Sequence, residues 1–120
     1  MKTTVVLALF VVAVFCVAAA QAELKLTGSG AAMEADLSGY PPNMKSIYPV
    51  FKAKCAKCHG LDRTLTTLQT GIAPSGAVFD KAAIDAYGAK MLRKPDAEMT
   101  KAEVKSILEL MHFMADEAAK

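Results

Sequence analysis

The chain has 120 residues, of which 53% are apolar, and a formal net charge of +2 from 14 basic and 12 acidic side chains. This length bounds it to one small domain. Basic residues interleaved with acidic ones exclude the single-sign patch by which nucleic acid is held, so no nucleic-acid partner is expected.

Residues 1–22 read as an export signal. Met1-Lys2 carries one positive charge, residues 5–20 form an unbroken apolar run, and Ala20-Gln21-Ala22 offers small residues at the cleavage positions. Cleavage is expected after Ala22. The run falls short of the ~20 residues that span a bilayer, which disfavours a retained anchor and predicts no stable membrane insertion. Bulky Phe15 before Cys16, and the apolar residues after it, argue against a lipidated cysteine.

Residues 23–44 form an N-terminal extension before a domain at 45–120. Gly28, Gly30, Gly39 and Pro41-Pro42 break any long pattern, and one short helix is predicted over 31–37. A longer helix is predicted over 46–58. Ser46 can cap it, Pro49 falls in its first turn, where a missing N–H is tolerated, and Gly60 suits its exit. Ile47, Phe51 and Cys55 recur every four residues on one face, with Phe51 read as core packing against the last helix.

That helix carries Cys55-Ala56-Lys57-Cys58-His59 at its end. Two thiols three positions apart can each bond a haem vinyl group, and the histidine that follows then sits under the iron as an axial ligand. Every fixed position of the pentapeptide has a separate chemical task, so it is far more specific than a bare Cys-x-x-Cys. The expected cofactor is one covalently attached haem c. Such attachment takes place after export, so motif and leader support each other and point to the bacterial periplasm. A zinc site built on Cys55, Cys58, His59 and His112 would lack the second half-motif that such sites bring. A thioredoxin-like pair would need a βαβ pattern that is absent here.

Residues 61–78 show no sustained period and read as a loop, with one helical turn at 64–69. Asp80 is a good N-cap for a helix to about Leu92, with Ile84, Tyr87 and Met91 on one face. Lys94-Pro95 ends that segment. Thr100 and Glu103 form a capping box for the last helix, whose stripe is Val104, Ile107, Leu108 and Met111, widened by Leu110, Phe113 and Met114. No convincing strand is read. The predicted class is all-α.

The order helix, Cys-x-x-Cys-His-Gly, loop, short helix, methionine and capped C-terminal helix resembles the class I (monohaem) cytochromes c over residues 45–119. Lys90-Met91-Leu92-Arg93-Lys94-Pro95 also looks like the ligand segment of small periplasmic cytochromes from metal- or sulfate-reducing bacteria. The resemblance implies short helices packed around one haem, crossing terminal helices and a methionine-bearing loop. Two departures stand out: the extension before the motif is long for the family, and no Gly-Pro-x-Leu follows it. Pro74 is the best substitute for that proline, which implies a hydrogen bond from His59 to the region of Ile72 or Pro74.

His59 is the proximal ligand by motif. By the family's spacing Met91 is the preferred distal ligand, with Met99 and His112 as alternatives; Met33, Met44, Met111 and Met114 read as packed or exposed. Glu109 and Asp116 make the face of His112 polar, so a solvated histidine paired with an acid is expected. Two permanent ligands suit electron transfer, and a thioether raises the potential relative to a second imidazole. The expected function is a one-electron carrier, not an enzyme. Its redox-partner proteins would dock through Lys52, Lys54, Lys57, Lys90, Arg93 and Lys94, although Arg93 or Lys94 could instead pair with a haem propionate. The alternative is a haem-based sensor with a weak or open sixth site.

Overall fold

The structure, a computed structural model, describes residues 24–120. The expected export signal and Cys16 lie outside the described residues. Four helices dominate: α1 (Pro42–Cys55), α2 (Leu61–Thr70), α3 (Lys81–Leu92) and α4 (Lys101–Ala118). The protein is mostly helical, as composition and periodicity predict.

The extension does not form the predicted helix at 31–37. Two short antiparallel strands, β1 (Leu26–Thr27) and β2 (Glu34–Ala35), pair Leu26 with Ala35 around a 3-10 turn at Gly30–Ala32. Gly28 opens that turn at φ 71°, where a Cβ would run into the carbonyl of Ala32. Tyr48 on α1 offers its hydroxyl to the Ala35 N–H at 2.9 Å, so the extended backbone finds a partner outside its own segment. Leu24, Ala35 and Tyr40 are buried in the same apolar cluster as the helices. The extension is therefore built into the core.

α1 begins at Pro42, four residues before the predicted Ser46 cap and inside the proposed extension. Proline at the first helical position gives up only an N–H that has no intrahelical partner there. Ser46 lies within the helix and donates its hydroxyl to the Asn43 carbonyl at 2.8 Å. Pro49 is then interior rather than in the first turn, and it deprives the Lys45 carbonyl of its usual donor. Tyr48, Phe51 and Cys55 form the buried face.

Residues 61–70 are a full helix, not a loop. Leu61, Leu65 and Leu68 repeat at helical spacing and are buried, and Gly71 at φ 69° closes the C-terminus. The hydroxyls of Thr67 and Thr70 donate to the carbonyls of Arg63 and Thr66, each at 2.9 Å, which satisfies them inside the helix. A tight hairpin follows, with Ile72 bridging Val78 and the Phe79 N–H donating to the Gly71 carbonyl at 2.8 Å.

Asp80 caps α3 by accepting from the Ala83 N–H at 2.9 Å. Both halves of the Thr100–Glu103 capping box form at the start of α4. Val104, Ile107, Leu110, Met111 and Met114 are buried along α4, which packs on α1, α2 and α3 in turn. Phe51 and Leu110 are both fully buried in the one cluster that joins α1 to α4. Full burial of side chains this size contributes about 1.5–3 kcal/mol each.

Candidate functional site

The pentapeptide occupies the junction between α1 and α2. α1 stops at Cys55, and Cys58 and His59 lie in the turn that follows rather than on the helix itself. Gly60, in extended backbone at φ −62°, is the N-cap of α2. Burial makes the two thiols unlike each other. Cys55 is 7% exposed, and burial pushes its thiol up to about 12, whereas Cys58 is exposed. Both are free thiols.

Across this junction lies the last turn of α3. Met91 is 8% exposed on the face that α3 turns inward. Cys55, Cys58, His59 and Met91 line one cavity of about 80 Å³, with Tyr87 and Lys90 at its wall. An adjoining cavity of about 220 Å³ shares His59, Tyr87 and Lys90 and runs on to Arg63, Pro74 and Met111. The fold thus brings together four of the six residues singled out as attachment or ligand groups.

The other two stay apart. Met99 is half-buried against the core and lines neither cavity. His112 faces α3, where its Nε2 lies 2.7 Å from Asp85 Oδ1; the acid beside it is not Glu109 or Asp116. Of the remaining methionines, Met111 and Met114 are fully buried and Met33 and Met44 pack at the edge of the core. Among the described residues, no group of three or more His, Cys, Asp or Glu converges as a bare-ion site.

His59 does not bond to the segment around Ile72 or Pro74. Its Nδ1 instead lies 3.4 Å from Arg63 Nη1, although Pro74 lines the same cavity. A guanidinium can only donate, so this contact is a hydrogen bond only when the imidazole proton is on Nε2.

The six candidate docking cations divide into two groups. Lys52 pairs with Glu34, Lys57 with Glu98 at 2.6 Å, and Lys54 donates to the Glu98 carbonyl at 2.7 Å. Lys90 and Lys94 line the smaller cavity and make no ion pair among the described residues, and Arg93 bonds only the Ala89 carbonyl of its own helix. Tyr87, Arg63 and Glu98 are site residues that sequence reasoning missed. Tyr87 read only as a stripe position and Arg63 as part of a loop, while nothing in the sequence marks Glu98.

Among the described residues, no helix is long and apolar enough to cross a membrane. No family model, curated protein or solved structure matches the chain, so what the site can do is read from its own chemistry.

Proposed function

We propose that the protein is a monohaem c-type cytochrome of the periplasm that carries one electron at a time between partner proteins. The observation that carries this reading is the shared cavity: two free thiols, an imidazole and a thioether line the same wall space. That donor set fits a covalently attached haem. Cys55 and Cys58 would hold it through thioether bonds, His59 would take one axial position and Met91 the other. Bound there, the group supplies a one-electron Fe(III)/Fe(II) couple.

The chain's own residues do the rest. If His59 held the iron through Nε2, its proton would sit on Nδ1 and it could no longer accept from Arg63, which would leave that guanidinium free for an anion. With Met91 as the other ligand, its burial would keep water from that side of the group. Lys90, Arg93 and Lys94, set at the C-terminal end of α3 where cations are favoured, leave a positive rim for an acidic partner surface. Lys52, Lys54 and Lys57 are already engaged and contribute less to that rim.

The test is optical. The exported protein should retain haem on denaturation, and its ferric form should show the weak far-red methionine-to-iron band. Met91→Ala should abolish the band and let the iron take up external ligands, whereas Met99→Ala and His112→Ala should leave it in place. Survival of the band in Met91→Ala rules out Met91 as the ligand. Rapid carbon monoxide binding by the unmodified ferrous protein would favour the sensor, and absence of covalent haem would reject both readings.

A further inference from the structure

Glu98 stands where the chain turns from the 3-10 segment Pro95–Ala97 toward the Thr100 cap. It is the one non-glycine residue with positive φ among the described residues, at 49°. Glycine or asparagine suits this backbone better, so a glutamate there calls for a compensating contact. Two lysines supply it. Lys57, between the two cysteines, reaches Glu98 Oε2 at 2.6 Å, and Lys54, at the end of α1, donates to the Glu98 carbonyl at 2.7 Å. Lys54 Nζ also lies 3.8 Å from Glu103 Oε2 of the capping box. The carboxyl of Glu98 is held below its usual range by the Lys57 ammonium.

These contacts join the attachment motif to the segment that follows Met91. We infer that Glu98 is a positioning residue: through Lys57 and Lys54 it latches the segment after Met91 to the haem-attachment turn and so keeps the Met91 thioether over the iron. The inference rests on the cytochrome reading above. It assigns to a surface ion pair a role that its small contribution to global stability would not suggest. An exposed pair has little effect on unfolding. It can still govern how often one short segment opens, since local openings cost far less than global unfolding.

The experiment measures imidazole binding to the ferric, haem-loaded protein, because entry of this neutral ligand requires Met91 to leave. Glu98→Gln and Lys57→Gln should each speed binding by roughly two- to fivefold, the range an exposed ion pair of this kind can supply. The double variant should be no faster than either single one. The exchanged pair, Lys57→Glu with Glu98→Lys, should return the rate to near that of the unmodified protein. The folding equilibrium in urea should fall by no more than the factor by which binding speeds up, since the open segment and the unfolded chain lose the same pair; a larger fall marks a general loss of stability and overturns the latch. High salt should speed the unmodified protein toward the Glu98→Gln rate. A Glu98→Gln rate equal to that of the unmodified protein, or an exchanged pair as fast as the single variants, overturns the latch. If Met91→Ala also binds imidazole at the unmodified rate, Met91 ligation itself is wrong, and the latch falls with it.

Discussion

At the scale of single residues, burial gives the two motif cysteines different reactivity. The Cys55 thiol sits on the buried face of α1, and burial raises it from its ordinary 9.0 to about 12. At pH 8 only about one Cys55 in ten thousand would be thiolate, and thiolate is the reactive form. In the chain with both thiols free, iodoacetamide should therefore modify exposed Cys58 first and Cys55 far more slowly, read by mass spectrometry of the digested protein. Equal labelling would mean that α1 does not hold Cys55 against the core. The sign for stability follows from the same shift. Above pH 9 the unfolded chain releases this proton and the folded one keeps it, so stability falls as pH rises from about 9 toward 12. The sequence marked both cysteines and put Cys55 on the face of Phe51, but it carried the helix on to Cys58, whereas α1 ends at Cys55 and leaves Cys58 in the exposed turn. The start of α1 was misread as well, since Ser46 resembles a cap while Pro41-Pro42 supply the actual entry.

At the scale of elements, α3 and α4 were readable and α2 was not. Asp80 and the Thr100–Glu103 box are side-chain caps with definite spacing, and the stripe of α4 is long enough to carry its period. α2 is short, and Thr64, Thr66, Thr67 and Thr70 lower its helix propensity, so tertiary burial of Leu61, Leu65 and Leu68 decides its conformation. α3, which carries Met91, packs on α4, and Gly88 lets the two helices come close. A Cβ at Gly88 would stand 2.5 and 2.9 Å from the two methyl carbons of Leu108. Gly88→Ala gains about 1 kcal/mol of helix propensity but overpacks a close helix contact, which costs about 1–3 kcal/mol. The net expectation is a lower urea midpoint. Leu108→Ala should reverse the sign of the Gly88→Ala effect by clearing the space, and a double-mutant cycle measures that coupling. Strict additivity of the two changes would show that the helices are not in contact at this point.

At the scale of the whole molecule, the segment before α1 belongs to the domain, and this was the least readable part of the sequence. Its glycines and prolines mark turns without saying what the turns pack on, and the contacts that hold it are distant in sequence. Leu24 lies under Gln69, whose amide donates to the Leu24 carbonyl at 3.3 Å, and Tyr40 meets Phe113 edge-on with centroids 4.9 Å apart. Two tyrosines then make opposite predictions. The Tyr48 hydroxyl accepts the buried Ala35 N–H, so Tyr48→Phe strands that donor and should cost about 1–3 kcal/mol. The Tyr40 hydroxyl is buried with no hydrogen-bond partner among the described residues, and burial pushes its pKa up to about 12. Tyr40→Phe removes an uncompensated polar group while keeping the ring against Phe113, so its stability should be equal to or above that of the unmodified protein. Urea unfolding of both variants decides the matter. A large loss in Tyr40→Phe would reveal a partner for that hydroxyl. A neutral Tyr48→Phe would detach β2 from α1 and, with it, the case that the extension stabilises the helix leading into Cys55.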